Sequence, residues 1–248
     1  MAWVRRNRRL TLKLALALSA LVAGPARADG IGLDVYKGGA LIREYNDDQL
    51  GCTDNADGTS TCSGYGIQLG SSGISVISWD LLVDPDPVVS GVAAVTNLSG
   101  AAQEYTLIFQ LPITPIFPSS RTGGSLQGGI TDNDGDGATV STAPGSALYT
   151  AQIDGVNWQQ LYGAPNSFAA GSFGSENIPS TSFGSPIPSL PGPAALTSIG
   201  IVLDFTLTGN DSASFTSNHV VVTPEPQTGA LLGLGLAFLA IRRRRQLR

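Results

Sequence analysis

The chain has 248 residues, 42% of them hydrophobic, and a formal net charge of −5, enough for one or two domains with a substantial core. That net value conceals a division. Eleven basic residues lie in the terminal segments, leaving Lys37, Arg43 and Arg121 against 19 acidic residues between Asp29 and Glu225, a formal charge of −16 over the middle. A middle this acidic argues against nucleic acid as a partner, because neutralising phosphates takes clustered Lys and Arg.

Residues 1–28 have the pattern of a secretory signal peptide. Arg5 to Lys13 supply a positive start, Leu14 to Ala23 an apolar run of ten, and Ala26-Arg27-Ala28 the small-residue cleavage pattern, with cleavage expected after Ala28. Ten residues rising 1.5 Å each fall short of a hydrocarbon core about 30 Å thick, so the run does not read as a permanent span. Asn7 to Lys13 faintly resembles a twin-arginine signal, but Thr11 stands where a large apolar residue is favoured, and the general secretory route is preferred.

Residues 29–222 read as one acidic all-β domain. Alternation predicts strands at Ile31–Tyr36, Gly64–Leu69, Ile74–Leu82, Val88–Asn97, Tyr105–Leu111, Ala147–Ile153, Ile199–Leu207 and Ser214–Val222. Turn signals at Asp57, Asn97, Asp154 and Gly209 separate them. Many short strands without intervening helices predict an antiparallel β-sandwich, jelly-roll-like, rather than a parallel sheet. Cys52 and Cys62 close a short turn-rich stretch, for which a disulfide is expected in an oxidising compartment. Segment 163–193 is rich in Gly, Ser and Pro and is expected to be an insertion or an arm over the sheet, anchored by Phe168, Phe173 and Phe183.

The sharpest local motif is D-N-D-G-D-G, with Asp132, Asp134 and Asp136 at spacing two before Gly137. Alternating carboxylates beside a glycine can converge on one hard cation such as calcium. The twelfth position of an EF-hand register falls on Ala143 and no helical pattern flanks the motif, so a full EF-hand is excluded. Two readings stay open: a loop calcium site, or a solvated acidic hairpin turn. Asp54, Asn55 and Asp57 form a weaker copy that reads as a turn. Trp79 with Asp80, and Trp158 with Tyr162, would suit sugar stacking, but large aromatics are more often buried. Catalytic signals are sparse. His219, the one histidine, sits on a predicted strand, there is no G-x-S-x-G elbow, and nothing selects a carboxylate pair, so no catalytic residue is assigned.

The last segment, 223–248, carries the most specific pattern. Pro224-Glu225-Pro226 precedes an apolar run from Thr228 to Ile241 and then Arg242, Arg243, Arg244 and Arg245. The prolines keep the start extended, and the arginines resist translocation. This resembles the PEP-CTERM sorting signal processed by membrane enzymes called exosortases in Gram-negative bacteria. The resemblance implies that Pro224, Glu225 and Pro226 are the recognition element, the run 228–241 a transient transmembrane helix and the arginines a membrane stop. It implies an inner-membrane precursor that ends at the cell surface or in an extracellular, biofilm-type matrix. The expected role is structural or adhesive, with exopolysaccharide as a candidate partner. The rival is a secreted carbohydrate-binding or carbohydrate-active sandwich.

Overall fold

A computed structural model of the protein describes residues 30–69, 75–84, 87–114 and 116–223. The signal-peptide pattern with Ala26 and Ala28, and the segment from Pro224 to Arg248, lie outside the described residues.

In chain order the elements are β1 (Gly32–Lys37), β2 (Ala40–Tyr45), the one-turn helix α1 (Asp47–Leu50), β3 (Cys52–Asp54), β4 (Ser60–Leu69), β5 (Ser75–Asp84) and β6 (Val88–Asn97). There follow β7 (Gln103–Pro112), β8 (Ser120–Thr131), β9 (Ala138–Ser141), β10 (Ala147–Ile153), β11 (Val156–Gly163) and β12 (Ser167–Ala170). The last are β13 (Ser175–Phe183), β14 (Leu190–Gly192), β15 (Ser198–Leu207) and β16 (Ser212–Val222). Two antiparallel sheets result. The first runs β11-β10-β15-β7-β1-β2, with β9 joined to β15 and β12 to β9. The second runs β13-β8-β16-β6-β5-β4-β3, with β14 joined to β8.

Alternation makes each sheet one-sided. On β15, Ile199, Ile201, Leu203, Phe205 and Leu207 are buried, while Val202, Asp204 and Thr206 on the other face are half-exposed. β7 repeats this with Tyr105, Leu107, Phe109 and Leu111. The apolar faces meet as a sandwich, where the Phe205 ring lies 4.7 Å from Phe215 of the opposite sheet and 5.7 Å from Tyr105. Each such side chain contributes roughly 1.5–3 kcal/mol by leaving water. The Tyr105 hydroxyl is satisfied across the core by Ser75 Oγ at 2.6 Å.

Cys52 and Cys62 are direct register partners on β3 and β4 and form the expected disulfide. Segment 163–193, expected to be an insertion or an arm over the sheet, is paired into both sheets. It supplies β12 to the first sheet and β13 and β14 to the second. Phe168 and Phe183 pack against the core as anchors, but Phe173 is 74% exposed. Among the described residues no helix is long and apolar enough to cross a membrane, and the run 228–241 lies outside them.

The loops fall at two ends. One holds the β6–β7, β8–β9 and β15–β16 connections, tied by the bonds from Asn97 N to Asp211 O and from Asn210 N to Ser99 O. The other holds the β7–β8, β10–β11 and β14–β15 connections and the end of β16.

Candidate metal centre and sorting segment

The D-N-D-G-D-G motif carries the chain from β8 in the second sheet to β9 in the first. Its first carboxylate organises the turn. Asp132 is buried, and its Oδ1 accepts from the N–H groups of Asp134 at 3.2 Å and Gly135 at 3.0 Å, while Oδ2 accepts from Gly137 at 3.1 Å and Phe173 at 2.6 Å. Gly135 has a φ of 97°, and a β-carbon there would come within 2.4 Å of the Phe173 ring. Glycine is therefore favoured by the backbone, which other residues rarely adopt at this φ.

A fourth carboxylate arrives from the neighbouring β15–β16 loop. Asp211 is fully buried; Oδ1 accepts from Asn133 N at 3.3 Å and Oδ2 from the Thr208 hydroxyl. The two loops are joined further by Asn210 Nδ2 donating to Asp134 Oδ2 at 2.9 Å and Asn133 Nδ2 donating to Asn210 O at 3.0 Å. Asp132, Asp134, Asp136 and Asp211 can each offer one oxygen, all within 4.8 Å of one another. Ligand oxygens on opposite sides of a calcium ion stand about 4.6–5.2 Å apart, so the spacing suits that cation.

The electrostatics match an electron-rich cluster. Burial raises the Asp132 carboxyl, but the N–H groups of Gly135, Phe173, Gly137 and Asp134 outweigh it and hold the pKa at about 2. Asp136 is pushed up by sharing a hydrogen bond with Asp134 and by that group's negative charge. Asp211 is pushed up by burial, with the charges of Asp132 and Asp134 adding to it.

The motif's spacing pointed to Asp132, Asp134 and Asp136, and the fold brings all three together. Sequence reading missed Asp211, 75 positions beyond Asp136, since G-N-D at Gly209 reads only as a turn. The weaker copy behaves as a turn: Asp57 Oδ1 accepts from Thr59 N and Oγ1, and Asp54 Oδ1 from Ser60 Oγ.

Two other candidates, Trp79 and His219, resolve into packing. Trp79 is 2% exposed, with its indole N–H donating to Leu50 O at 2.9 Å and its ring 5.0 Å from Tyr45, so it offers no face to a sugar. Trp158 is half-buried, and Tyr162 donates to Pro179 O at 2.6 Å. His219 is fully buried and holds both ring nitrogens in hydrogen bonds, so it cannot serve a surface triad.

At the opposite end, Val222 closes β16 as the register partner of Arg121, and only Thr223 separates it from Pro224. Residues 222–245 match the PEP-CTERM protein-sorting motif. The chain carries a PEP-CTERM sorting signal. That signal marks an exported protein sorted to the cell envelope, and it begins on the last residue of the sandwich. No curated protein matches the chain. Among solved structures, TmCBM61 in complex with β-1,4-galactotriose is similar at 13% identity, over 60% of this chain and 88% of that one, with a TM-score of 0.22. The Family 11 carbohydrate-binding module from Clostridium thermocellum in complex with a β-1,3-1,4-mixed-linked tetrasaccharide is similar at 11% identity, over 80% and 100% of the chains, with a TM-score of 0.22. Broad Bean Stain Virus gives 11% identity, 82% and 88% coverage and a TM-score of 0.22. Likeness at this level carries no argument about ligand or role for the PEP-CTERM chain.

Proposed function

We propose that this is a cell-surface or extracellular-matrix protein of structural or adhesive role, built on a jelly-roll-like sandwich. As a precursor it is held in the inner membrane of a Gram-negative cell by the run 228–241. Pro224-Glu225-Pro226 then presents it to an exosortase-like enzyme. The observation that carries this reading is the sorting-motif match at 222–245, one that starts where the folded domain stops. A signal-peptide pattern at the other end of the chain supports it.

A non-catalytic role is supported by the outer face of the second sheet. There Ser214 and Thr216 of β16 lie beside Gly129 and Gln127 of β8 and Ala94 and Val92 of β6, a surface of mostly short side chains, half of them polar. A face of short side chains suits broad contact with exopolysaccharide or with other matrix proteins better than a reaction cleft. We assign calcium to Asp132, Asp134, Asp136 and Asp211, where it would lock two loops at the end remote from the sorting signal.

Intact mass of the protein from the cell surface, the medium and the membrane fraction tests the sorting half of this reading. A surface form starting at Asp29 and ending near Pro226 is expected, and replacing Pro224-Glu225-Pro226 by alanines is expected to leave the precursor in the membrane. Recovery of every molecule with Arg248 intact would replace sorting by a permanent tail anchor.

A further inference from the structure

At the end of the sandwich from which the sorting segment departs, Asp47, Asp48 and Asp84 lie on the flank of β1, β2 and β5, and the flank of β8, β10 and β15 has a different surface. Val222 faces Arg121 in register, Ser120 faces Gly192 and its hydroxyl donates to Pro193 O at 2.7 Å, and Phe117 bridges Ala195. The Asp154 carboxylate collects the N–H groups of Leu196, Thr197 and Ser198, which turns its charge toward the backbone. These contacts join both sheets into one rim. Three large apolar side chains stand out from it: Ile116, 60% exposed, Val156, 62%, and Leu196, 48%. Scattered singly they would need no explanation, but Ile116 and Leu196 flank the Phe117–Ala195 bridge, and Val156 lies two residues from Asp154, which holds the Leu196 N–H, so all three belong to one rim. Arg121, exposed on the same rim, is one of only three Lys or Arg residues between Asp29 and Pro226.

Chain length dictates what this rim meets. Five residues, Thr223 to Gln227, separate β16 from the apolar run. Fully extended they span about 17 Å. A domain of this size has a radius of gyration of about 16 Å, so it is wider than its tether is long. While the run 228–241 is inserted, this end cannot turn away from the bilayer.

We infer that the rim is a lipid-docking face. In the precursor, Ile116, Val156 and Leu196 enter the interfacial layer of the adjacent leaflet, and Arg121 meets its phosphates. Docking fixes Pro224-Glu225-Pro226 at the membrane surface, in an orientation set by the domain. The inference rests on the reading of 228–241 as a membrane segment.

The test uses the full chain in vesicles of phosphatidylethanolamine and phosphatidylglycerol with brominated acyl chains, which quench nearby tryptophan. Leu196→Trp and Val156→Trp place probes on the rim, and Leu98→Trp, at a site 48% exposed at the opposite end, is the control. Flotation with the vesicles is measured alongside. Quenching above that of the unsubstituted protein is expected at positions 196 and 156, at least twofold stronger than at 98. Equal quenching at all three positions in protein that floats would overturn docking and leave the processing enzyme as the occupant of the rim. Failure to float would remove the membrane-segment reading itself, and the inference with it.

Discussion

His219 of the second sheet and Gly200 of the first meet across the interior, with the ring Nδ1 3.1 Å from the Gly200 carbonyl oxygen. A carbonyl only accepts, so Nδ1 carries the proton and the neutral ring accepts at Nε2 from Thr122 Oγ1, 3.1 Å away. Burial pushes the pKa down to about 4, with the hydrogen bond to Gly200 opposing it. In the unfolded chain the ring titrates near 6.5. The unfolded state thus takes up a proton first as pH falls. The contribution is complete above about pH 6.5 and is lost between there and about pH 4, to the extent of about 3 kcal/mol. Thermal unfolding followed from pH 7.5 to 4.5 should show this decline, and His219→Gln should flatten it. Parallel profiles for the two proteins would remove His219 as the cause.

Calcium should raise the unfolding temperature, since a ligand held only by the native state stabilises it by about 2.7 kcal/mol at a hundred times its dissociation constant. Asp134→Asn and Asp211→Asn should each remove most of that shift. Asp211 is the more telling, because only the folded β15–β16 loop brings it to the others. The pH dependence has a definite sign. Asp136 and Asp211 are raised above the usual carboxylate range and take up protons first on acidification. Affinity should therefore weaken as pH drops, while Asp132, at about 2, stays ionised. Calorimetric titration at pH 7 and pH 5 reads this, and an unchanged temperature with and without calcium would dismiss the site.

The fold was legible where one face of a strand is apolar and the other polar. Val88–Asn97 and Ala147–Ile153 were predicted to the residue, and β15 to within one. It was illegible where glycine replaces the buried set. β8 reads S-R-T-G-G-S-L-Q-G-G-I-T and shows little period, yet it lies inside the second sheet between β13 and β16. Its neighbours β13 and β14 share that problem, because Gly, Ser and Pro hide their pairing. At the candidate site the carboxylates contiguous in sequence were readable. The partner supplied by another loop was not, since only the sheet register brings it near.

β8 yields a direct check of why those glycines are there. A β-carbon on Gly124 would lie 2.6 Å from the Phe183 ring, 2.7 Å from the Tyr149 hydroxyl and 2.8 Å from the Asn218 carbonyl oxygen. The first two side chains can shift, but the carbonyl belongs to the adjacent β16 and is itself the acceptor of the Tyr149 hydroxyl at 2.8 Å. Gly124→Ala should destabilise by about 1–3 kcal/mol through overpacking, whereas Gly155→Ala, with nothing within 4 Å, meets no such clash and suffers only backbone strain at a φ of 73°. Denaturant midpoints for the two variants separate contact from strain. A smaller loss at 124 than at 155 would contradict the packing account.

The disulfide guards the edge most exposed to fraying. β3 has three residues and a single partner, β4, and Cys52 and Cys62 are joined between them. Cross-linking positions ten apart limits the unfolded chain by about 2–3 kcal/mol in the loop-entropy account. Cys62 is fully buried, so the bond also anchors β4 to the core. Replacing both cysteines by serine should lower the unfolding temperature, and amide exchange should accelerate along β3 and the first half of β4 ahead of β7 and β15. A reductant added to the unsubstituted protein should reproduce the same temperature. If reduction shifts nothing, β3 is held by its backbone pairing alone, and the edge owes its order to the β4–β5 register rather than to the export compartment's oxidising chemistry.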